Sequence, residues 1–356
     1  LARLRFMSGD PAFARDLASA AATHTDDIAL QMLHASVLRR VGDLPGTETL
    51  LRDLLKRKGA LPEVRSELAA VLYEAGRLPE AEVEALEAAA GRAADPGIME
   101  TLVAILLARS RPEEAMQFIR PQRVRAPNDQ GWIAYEATAA RLLGLPLYRE
   151  LYDYDRFVRV YDLEPPPGWS SMEELNAELL GALNERHRFA THPLDQSLRN
   201  GSQTARSLLS EEHPAIHAIL QSFVPPIEDY RAAIGTAEGH PLTGRNRGMV
   251  AITGAWSVQL RREGFHVNHV HPHGWISSAY YVAVPSEAAN AQLMSGWLKF
   301  GETRYPVPGA LAERVVQPRP GRLALFPSYM WHGTNPIHGS EPRTTIAFDA
   351  SPIEAP

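Results

Sequence analysis

Four of the chain's 13 histidines fall within eight residues, as His266, His269, His271 and His273 in the stretch FHVNHVHPH. Imidazole is the commonest side-chain ligand for transition metals and suits iron, zinc, copper and nickel. In an extended strand, residues i and i+2 face the same side, so His269 and His271 can converge on one ion. His273 shares that parity only if the strand continues past Pro272. His266 has the opposite parity and reads as a surface or packing residue. A later histidine, His332, lies in LFPSYMWHGTNP, led into by the strand-like RLALF. Two ligands from one strand and a third from a distant one leave the opposite coordination positions open. Beyond it, Arg343 opens RTTIAFDA, a segment mostly of apolar and hydroxyl residues. A guanidinium on an inward strand face suits a carboxylate, which it binds bidentately. Any one of these residues has a plainer account, as a solvated histidine or a rim charge. Their joint order along β-strands argues for a site.

The chain contains no cysteine. Disulfides, zinc–thiolate sites, iron–sulfur clusters and cysteine nucleophiles are thereby excluded, and any metal must rest on His, Asp or Glu.

The elements that must position these residues are of two kinds. After about residue 245 the grammar is β: GMVAITGAWSVQL alternates, and WISSAYYVAVP, WLKFG, RLALFP and RTTIAFDA follow as short strands. Strands with no helix between them predict a sandwich, jelly roll or barrel. Just upstream, Ser171 with Glu174 forms a capping box ahead of an apolar face of Met172, Leu175, Leu179 and Leu183. A second helix is expected from about Pro214, interrupted or ended at Pro225-Pro226. HPLDQSLRNGSQT, 192–204, reads as a polar loop whose Gln196, Arg199, Gln203 and Thr204 can line a site. Phe157 to Leu163 is expected as a short strand.

Residues 1 to about 150 are rich in Ala, Leu, Glu and Arg, which is helix composition. Gly42, Gly76, Ser110 and Gly144 recur every 34 residues, and the grid extends back to Ser8, beside Gly9. Apolar residues on helical spacing flank each turn: Leu68, Val71 and Leu72 before Gly76, then Ala81, Val83, Leu86 and Ala89 after it. A 34-residue helix–turn–helix unit resembles the tetratricopeptide repeat. Such arrays present a concave groove to a peptide or protein segment, or simply support a neighbouring domain.

The 356 residues are 45% hydrophobic and 22% charged, an ordinary globular balance. The net charge of -6 argues against general nucleic-acid binding. No apolar run approaches the ~20 residues that span a bilayer. The opening LARLRFMSGDP lacks a signal-peptide core, so a cytoplasmic location is expected. Nothing in the sequence fixes the oligomeric state.

Taken together, HVHPHGWISSAYYVAVP, GWLKFG and GRLALFPSYMWHGTNPIHGSEPRTTIAFD resemble the Fe(II)- and 2-oxoglutarate-dependent oxygenase superfamily. They look most like a bacterial branch that carries tetratricopeptide-like repeats upstream. The resemblance covers about residues 150–352. It implies an α+β multidomain chain, with a repeat array over 1–150 and an oxygenase domain over 151–356. Within the latter it implies supporting helices over 171–235 and a double-stranded β-helix, or jelly roll, over 245–352. It further implies Fe(II), 2-oxoglutarate and dioxygen, with His269 and His332 as ligands and Arg343 on the far carboxylate of 2-oxoglutarate. Thr345 would add a hydroxyl, and Tyr281 stands where related enzymes place a tyrosine on that carboxylate. One departure stands out. The superfamily's acidic ligand is missing, since no Asp or Glu lies between Glu263 and Glu287, and His271 holds its position. His271 either ligates iron or stands beside an open position, so hydroxylation and halogenation both remain open. The implied substrate is a peptide or protein side chain reaching the site through the repeats, or an amino-acid-like small molecule. Two other accounts fit the residues: a non-catalytic repeat adaptor with a degenerate jelly roll, and a cupin-like three-histidine metalloenzyme that does not use 2-oxoglutarate. Asn268, Trp275 and Trp331 flank the candidate ligands and either shape the pocket or pack.

Overall fold

The computed structural model describes residues 1–353. Residues 354–356, the end of the expected oxygenase unit, lie outside the described residues.

The first 150 residues are helical. Helix pairs follow one another as Ile28–Arg40 with Leu44–Lys58, Pro62–Glu74 with Leu78–Gly91, and Pro96–Ala108 with Pro112–Arg125, then Gln130–Leu142. The 34-residue period has a local cause. Gly42, Gly76, Ser110 and Gly144 all have positive φ, at 87°, 76°, 55° and 64°. In each case the next amide bonds back across the turn: Asp43 to Leu38 O, Arg77 to Leu72 O, Arg111 to Leu106 O and Leu145 to Ala140 O, at 2.8–3.0 Å. This left-handed cap satisfies carbonyls that the helix end would leave unpaired. An ion pair keeps the same period. Arg77 bonds Glu48 and Glu80, and Arg111 bonds Glu82 and Glu114. The expected core residues before the turns are buried, among them Leu68, Val71, Leu72, Leu102, Ile105 and Leu106. After Gly76 the expectation fails in part. Val83 and Leu86 are 58% and 42% exposed, and the buried face is alanine: Ala81, Ala85, Ala88 and Ala89. Small side chains let the helices approach closely and turn the larger ones outward.

The remainder is mainly antiparallel sheet, with helices Met172–Asn184, Pro214–Ser222 and Val224–Ile234 beside it. Its strands are β1 (Arg159–Asp162), β2 (Leu198–Gln203), β3 (Met249–His266), β4 (Ile276–Ala283), β5 (Leu298–Phe300), β6 (Arg314–Val316), β7 (Arg322–Pro327), β8 (His332–Thr334) and β9 (Arg343–Ile353). One sheet runs β1-β7-β4-β9-β3-β2 and the other β6-β5-β8. A larger and a smaller antiparallel sheet form the second half of an α+β chain whose first half is the repeat array. The capping residue Ser171 accepts from Glu174 N at 3.2 Å, and Phe223 marks the break between the two later helices.

Two expected elements differ. Helix Tyr154–Phe157 occupies the start of the expected 157–163 strand, so β1 begins only at Arg159. The expected polar loop at 192–204 contains β2, an edge strand paired to β3. An edge strand has one solvated side, so polar composition does not exclude it. Its Leu198 is buried against Val258 and Leu260.

One apolar cluster runs without a break from Ala35 in the helices to Ala350 in β9. Polar contacts cross the same junction. Trp331 Nε1 donates to Thr138 Oγ1 at 3.1 Å, and Gln130 N donates to Pro272 O at 3.1 Å. Helix Gln130–Leu142 thus braces both segments that carry the candidate ligands. Among the described residues no helix is long and apolar enough to cross a membrane.

Candidate metal and co-substrate site

His269 and His271 sit in an extended segment after β3 rather than within a strand. His269 exchanges both backbone hydrogen bonds with His332, at 2.8 and 3.0 Å, and His271 N donates to Ser328 O at 3.0 Å. These bonds do the work expected of a strand, so the i, i+2 pair still faces one side. One ligand atom from each of His269, His271 and His332 lies within 4.8 Å of the others.

The ring orientations are fixed by their outer nitrogens. His269 Nδ1 is 2.9 Å from Val267 O, and His332 Nδ1 is 2.8 Å from Met330 O. A carbonyl only accepts, so each Nδ1 carries the proton and each Nε2 presents a lone pair. His271 Nδ1 donates to Asp349 Oδ1 at 2.7 Å, which frees its Nε2 likewise. The Nε2 atoms of His269 and His271 are 3.3 Å apart. Two lone pairs at that separation repel unless a cation lies between them. Cis ligands at metal–nitrogen distances of ~2.1 Å stand about 3 Å apart, so the spacing fits an ion. Burial also keeps the His269 and His332 rings neutral. It pushes His269 down to about 3, with help from His271, and holds His332 well below the ordinary histidine range. These three donors can hold a divalent transition metal such as iron.

The strand register builds the wall beside them. Arg343, Thr345, Ala347 and Asp349 alternate along β9 and all line one cavity of about 610 Å³ with the three histidines. Across the ladder, Thr345, Ala347 and Asp349 pair with Val258, Trp256 and Gly254 of β3, which line it too. Arg343 is 3% exposed and donates through Nη1 to Gly296 O at 2.5 Å. Its Nε is buried without a partner, and it has no carboxylate within ion-pair distance among the described residues. Burial pulls its pKa below the usual arginine value. A buried cation with an orphaned donor fits an incoming carboxylate. Tyr281 lies behind it, with Arg343 5.5 Å above the ring centre. The Tyr281 hydroxyl is buried and unpartnered, but Tyr281 does not line the cavity.

Other sequence candidates divide. His273 reaches the cavity mouth from a turn. His266 is not a surface or packing residue. It lines the cavity, its ring 5.8 Å from that of His269, and Ser197 Oγ bridges His266 Nδ1 at 2.9 Å and His269 Nε2 at 3.3 Å. Parity misled because β3 ends at His266 and the chain leaves strand geometry there. Gln196 and Gln203 line the cavity, whereas Arg199 and Thr204 do not. Asn268, Trp275 and Trp331 pack: their side chains donate to Thr303 O, Leu242 O and Thr138 Oγ1.

Two site residues escaped the sequence reading, Ser197 and Asp349. Asp349 had a signal, since it shares the parity of Arg343 and Thr345 in RTTIAFDA. Ser197, in a polar stretch, had none.

Residues 254–349 match a protein-family model described as "Putative 2OG-Fe(II) oxygenase". No curated protein matches the chain in sequence. Among solved structures, a viral collagen prolyl hydroxylase from Paramecium Bursaria Chlorella virus-1 aligns at 12% identity and a TM-score of 0.37, covering 55% of this chain and 97% of its own. A prolyl hydroxylase from Trichoplax adhaerens, in complex with a hypoxia inducible factor peptide fragment, aligns at 16% identity and a TM-score of 0.38, covering 58% and 89%. YrrB, a TPR protein with an unusual peptide-binding site, aligns at 14% identity and a TM-score of 0.33, covering 36% and 66%.

Proposed function

From the match of residues 254–349 to the 2OG-Fe(II) oxygenases, we propose that the chain is a 2-oxoglutarate-dependent dioxygenase. It hydroxylates a peptide or protein side chain, or an amino-acid-like small molecule. The observation that carries this reading is one cavity joining three convergent ring nitrogens to a buried arginine with an orphaned Nε.

His269, His271 and His332 would hold Fe(II), and Arg343 would take the far carboxylate of 2-oxoglutarate, with Thr345 beside it. Bound together, Fe(II), 2-oxoglutarate and dioxygen supply the oxidant for C–H hydroxylation, and 2-oxoglutarate leaves as succinate and carbon dioxide. The chain's own residues do the rest by position. Three neutral imidazoles bring no charge to the ion, so Asp349 matters: its carboxylate holds the His271 proton on Nδ1 and raises the basicity of the other ring nitrogen. Val267 and Met330 fix the other two rings in the same sense through their carbonyls. Tyr281 supports Arg343 from behind, its ring face under the guanidinium. Trp256, Val258 and Ala347 make the adjoining wall apolar and limit water near the reacting bond.

The all-histidine donor set also favours a cupin-like metalloenzyme that does not use 2-oxoglutarate. That reading leaves the buried Arg343 without an anion. The deciding experiment is an anaerobic Fe(II) titration with and without 2-oxoglutarate. A visible metal-to-ligand charge-transfer band that requires both, and succinate release once oxygen is admitted, is the expected result. Fe(II) binding with no such band would favour the cupin-like reading, and no Fe(II) binding at all would favour the adaptor.

A further inference from the structure

The cavity carries more positive charge than iron and 2-oxoglutarate would use. Arg343 stands on β9. Two further arginines line the same cavity, Arg40 from helix Ile28–Arg40 of the repeat array and Arg304 from the segment after β5. Gln196, Gln203 and Thr253 add neutral polar groups to the lining. Arg199 of β2 stands near enough that, after burial, the charges of Arg304 and Arg40 are what most weaken its hold on its proton.

None of these three arginines has a carboxylate within ion-pair distance among the described residues. Arg40 donates only to Leu194 O at 3.1 Å and Ser36 Oγ at 3.4 Å. Arg199 donates to the carbonyls of Gln196 and Leu198. Arg304 makes no side-chain hydrogen bond among the described residues and rests over the ring of Tyr305. The acids nearby are engaged elsewhere. Asp195, which also lines the cavity, pairs with Arg3 at 3.2 Å. Glu67 and Glu74 pair with Arg39, and Glu74 also accepts from the Tyr305 hydroxyl. Glu100 accepts from the Tyr135 hydroxyl, and burial keeps its pKa above the usual carboxylate range.

Arg40 and Arg199 are half-buried and Arg304 is exposed, and like charges brought together from separate parts of the fold with no carboxylate partner attract an anion. The proposed co-substrate does not provide one, because its two ends are taken up at the histidines and Arg343. We propose that Arg40 and Arg304, reinforced by Arg199, bind an oxyanion of the substrate itself, a carboxylate or phosphate. The enzyme would then act on an acidic substrate anchored by Arg40 of the array on one side and by Arg304 of the β5–β6 connection on the other. A cavity of about 610 Å³ admits a small acid or the acidic end of a peptide. This rests on the oxygenase reading and names its substrate class.

The test is calorimetric titration of the full chain, with Mn(II) and saturating 2-oxoglutarate under anaerobic conditions, and again without them. The probes are N-acetylglutamate, triglutamate, inorganic phosphate and, as a neutral control, triglutamine. At least one acidic probe should bind about tenfold or more tighter than triglutamine, and less tightly as salt is raised. Arg40→Ala and Arg304→Gln should each weaken that probe by about fivefold to tenfold. Equal binding of N-acetylglutamate and triglutamate identifies a small acid; preference for triglutamate identifies a peptide. The proposal is overturned if no acidic probe binds, if triglutamine binds as well, or if neither substitution matters while circular dichroism shows both variants folded. A charge-transfer band with no acid binding sinks this inference alone. Acid binding with no band sinks the oxygenase reading and leaves an anion site.

Discussion

The repeat array and the β-sheet half solve the problem of specifying structure at different ranges. In the array, the bonds that fix each turn close within six residues, as between Arg77 and Leu72 or Arg111 and Leu106. In the site, the decisive bonds cross the chain: His271 to Asp349 spans 78 positions and Arg343 to Gly296 spans 47. Local devices repeat, because the same cap works wherever its residues recur. A site built from distant strands depends on register, where a slip of one residue turns every side chain to the other face. The two halves should therefore fail differently when single residues are changed.

The largest effect is expected at the centre of the non-local half. His269→Ala or His332→Ala should lower Fe(II) or Mn(II) affinity by orders of magnitude, read by anaerobic equilibrium dialysis. Affinities within threefold of the parent in both variants would refute the metal site. His266→Ala is a graded case and not a silent control, because Ser197 couples it to His269. A smaller loss there than at His269 is expected.

Next comes Arg343. A charge-assisted pair contributes about 1.5–3 kcal/mol, so Arg343→Ala should weaken 2-oxoglutarate by roughly tenfold to a few hundredfold. Metal affinity should stay within about twofold. Arg343→Lys should recover only part of the loss, since a point charge replaces a planar fork. An unchanged apparent affinity for 2-oxoglutarate in Arg343→Ala would leave the buried cation unexplained and favour the cupin-like reading.

Asp349 sharpens the comparison because it is the site residue most dependent on register. Removing a carboxylate that orients a metal-bound histidine costs about 10–100-fold in metal affinity. Asp349→Ala should show a loss in that range, and Asp349→Asn less, since an amide oxygen can still accept from Nδ1–H. Identical metal affinity in all three proteins would mean that His271 needs no such support, or does not bind the metal.

These residues also show where sequence reading ran out. The histidine pair, His332 and Arg343 stood out because imidazole and guanidinium are uncommon among apolar strands, and Thr345 followed from sharing the parity of Arg343; the structure brings all five to one cavity. The 34-residue turns were legible because glycine at positive φ leaves a mark that repeats. Val83 and Leu86 misled because hydrophobicity was taken to mean burial, while the array packs through alanine. His266 misled because parity holds only while the strand lasts, and β3 ends there. Asp349 shares the parity of Arg343, but its bond to His271 needed a pairing of β9 with β3 and β4 that no single segment encodes.

The smallest expected effect belongs to the local half, and there the contrast is cleanest. Ser110 occupies the left-handed cap that glycine fills at 42, 76 and 144, with φ of 55°. A non-glycine residue in that region bears about 1–2 kcal/mol of steric strain. Glycine would relieve it but widen the unfolded ensemble, which offsets roughly 0.4–1 kcal/mol. Ser110→Gly should therefore stabilise the chain by about 0.5 kcal/mol. Gly76→Ser should do the reverse and destabilise by a similar amount, because a Cβ there meets nothing within 4 Å and the cost is purely conformational. Both shifts should appear in the denaturant midpoint of the helical signal, with no change in Fe(II) or 2-oxoglutarate affinity. If Gly76→Ser alters metal binding as strongly as Asp349→Ala, the array is not locally specified, and the brace of helix Gln130–Leu142 behind His332 transmits far more than the continuous core alone implies. If the two substitutions leave stability untouched, the periodic glycine reflects something other than the left-handed cap, and the explanation of the 34-residue period fails with it.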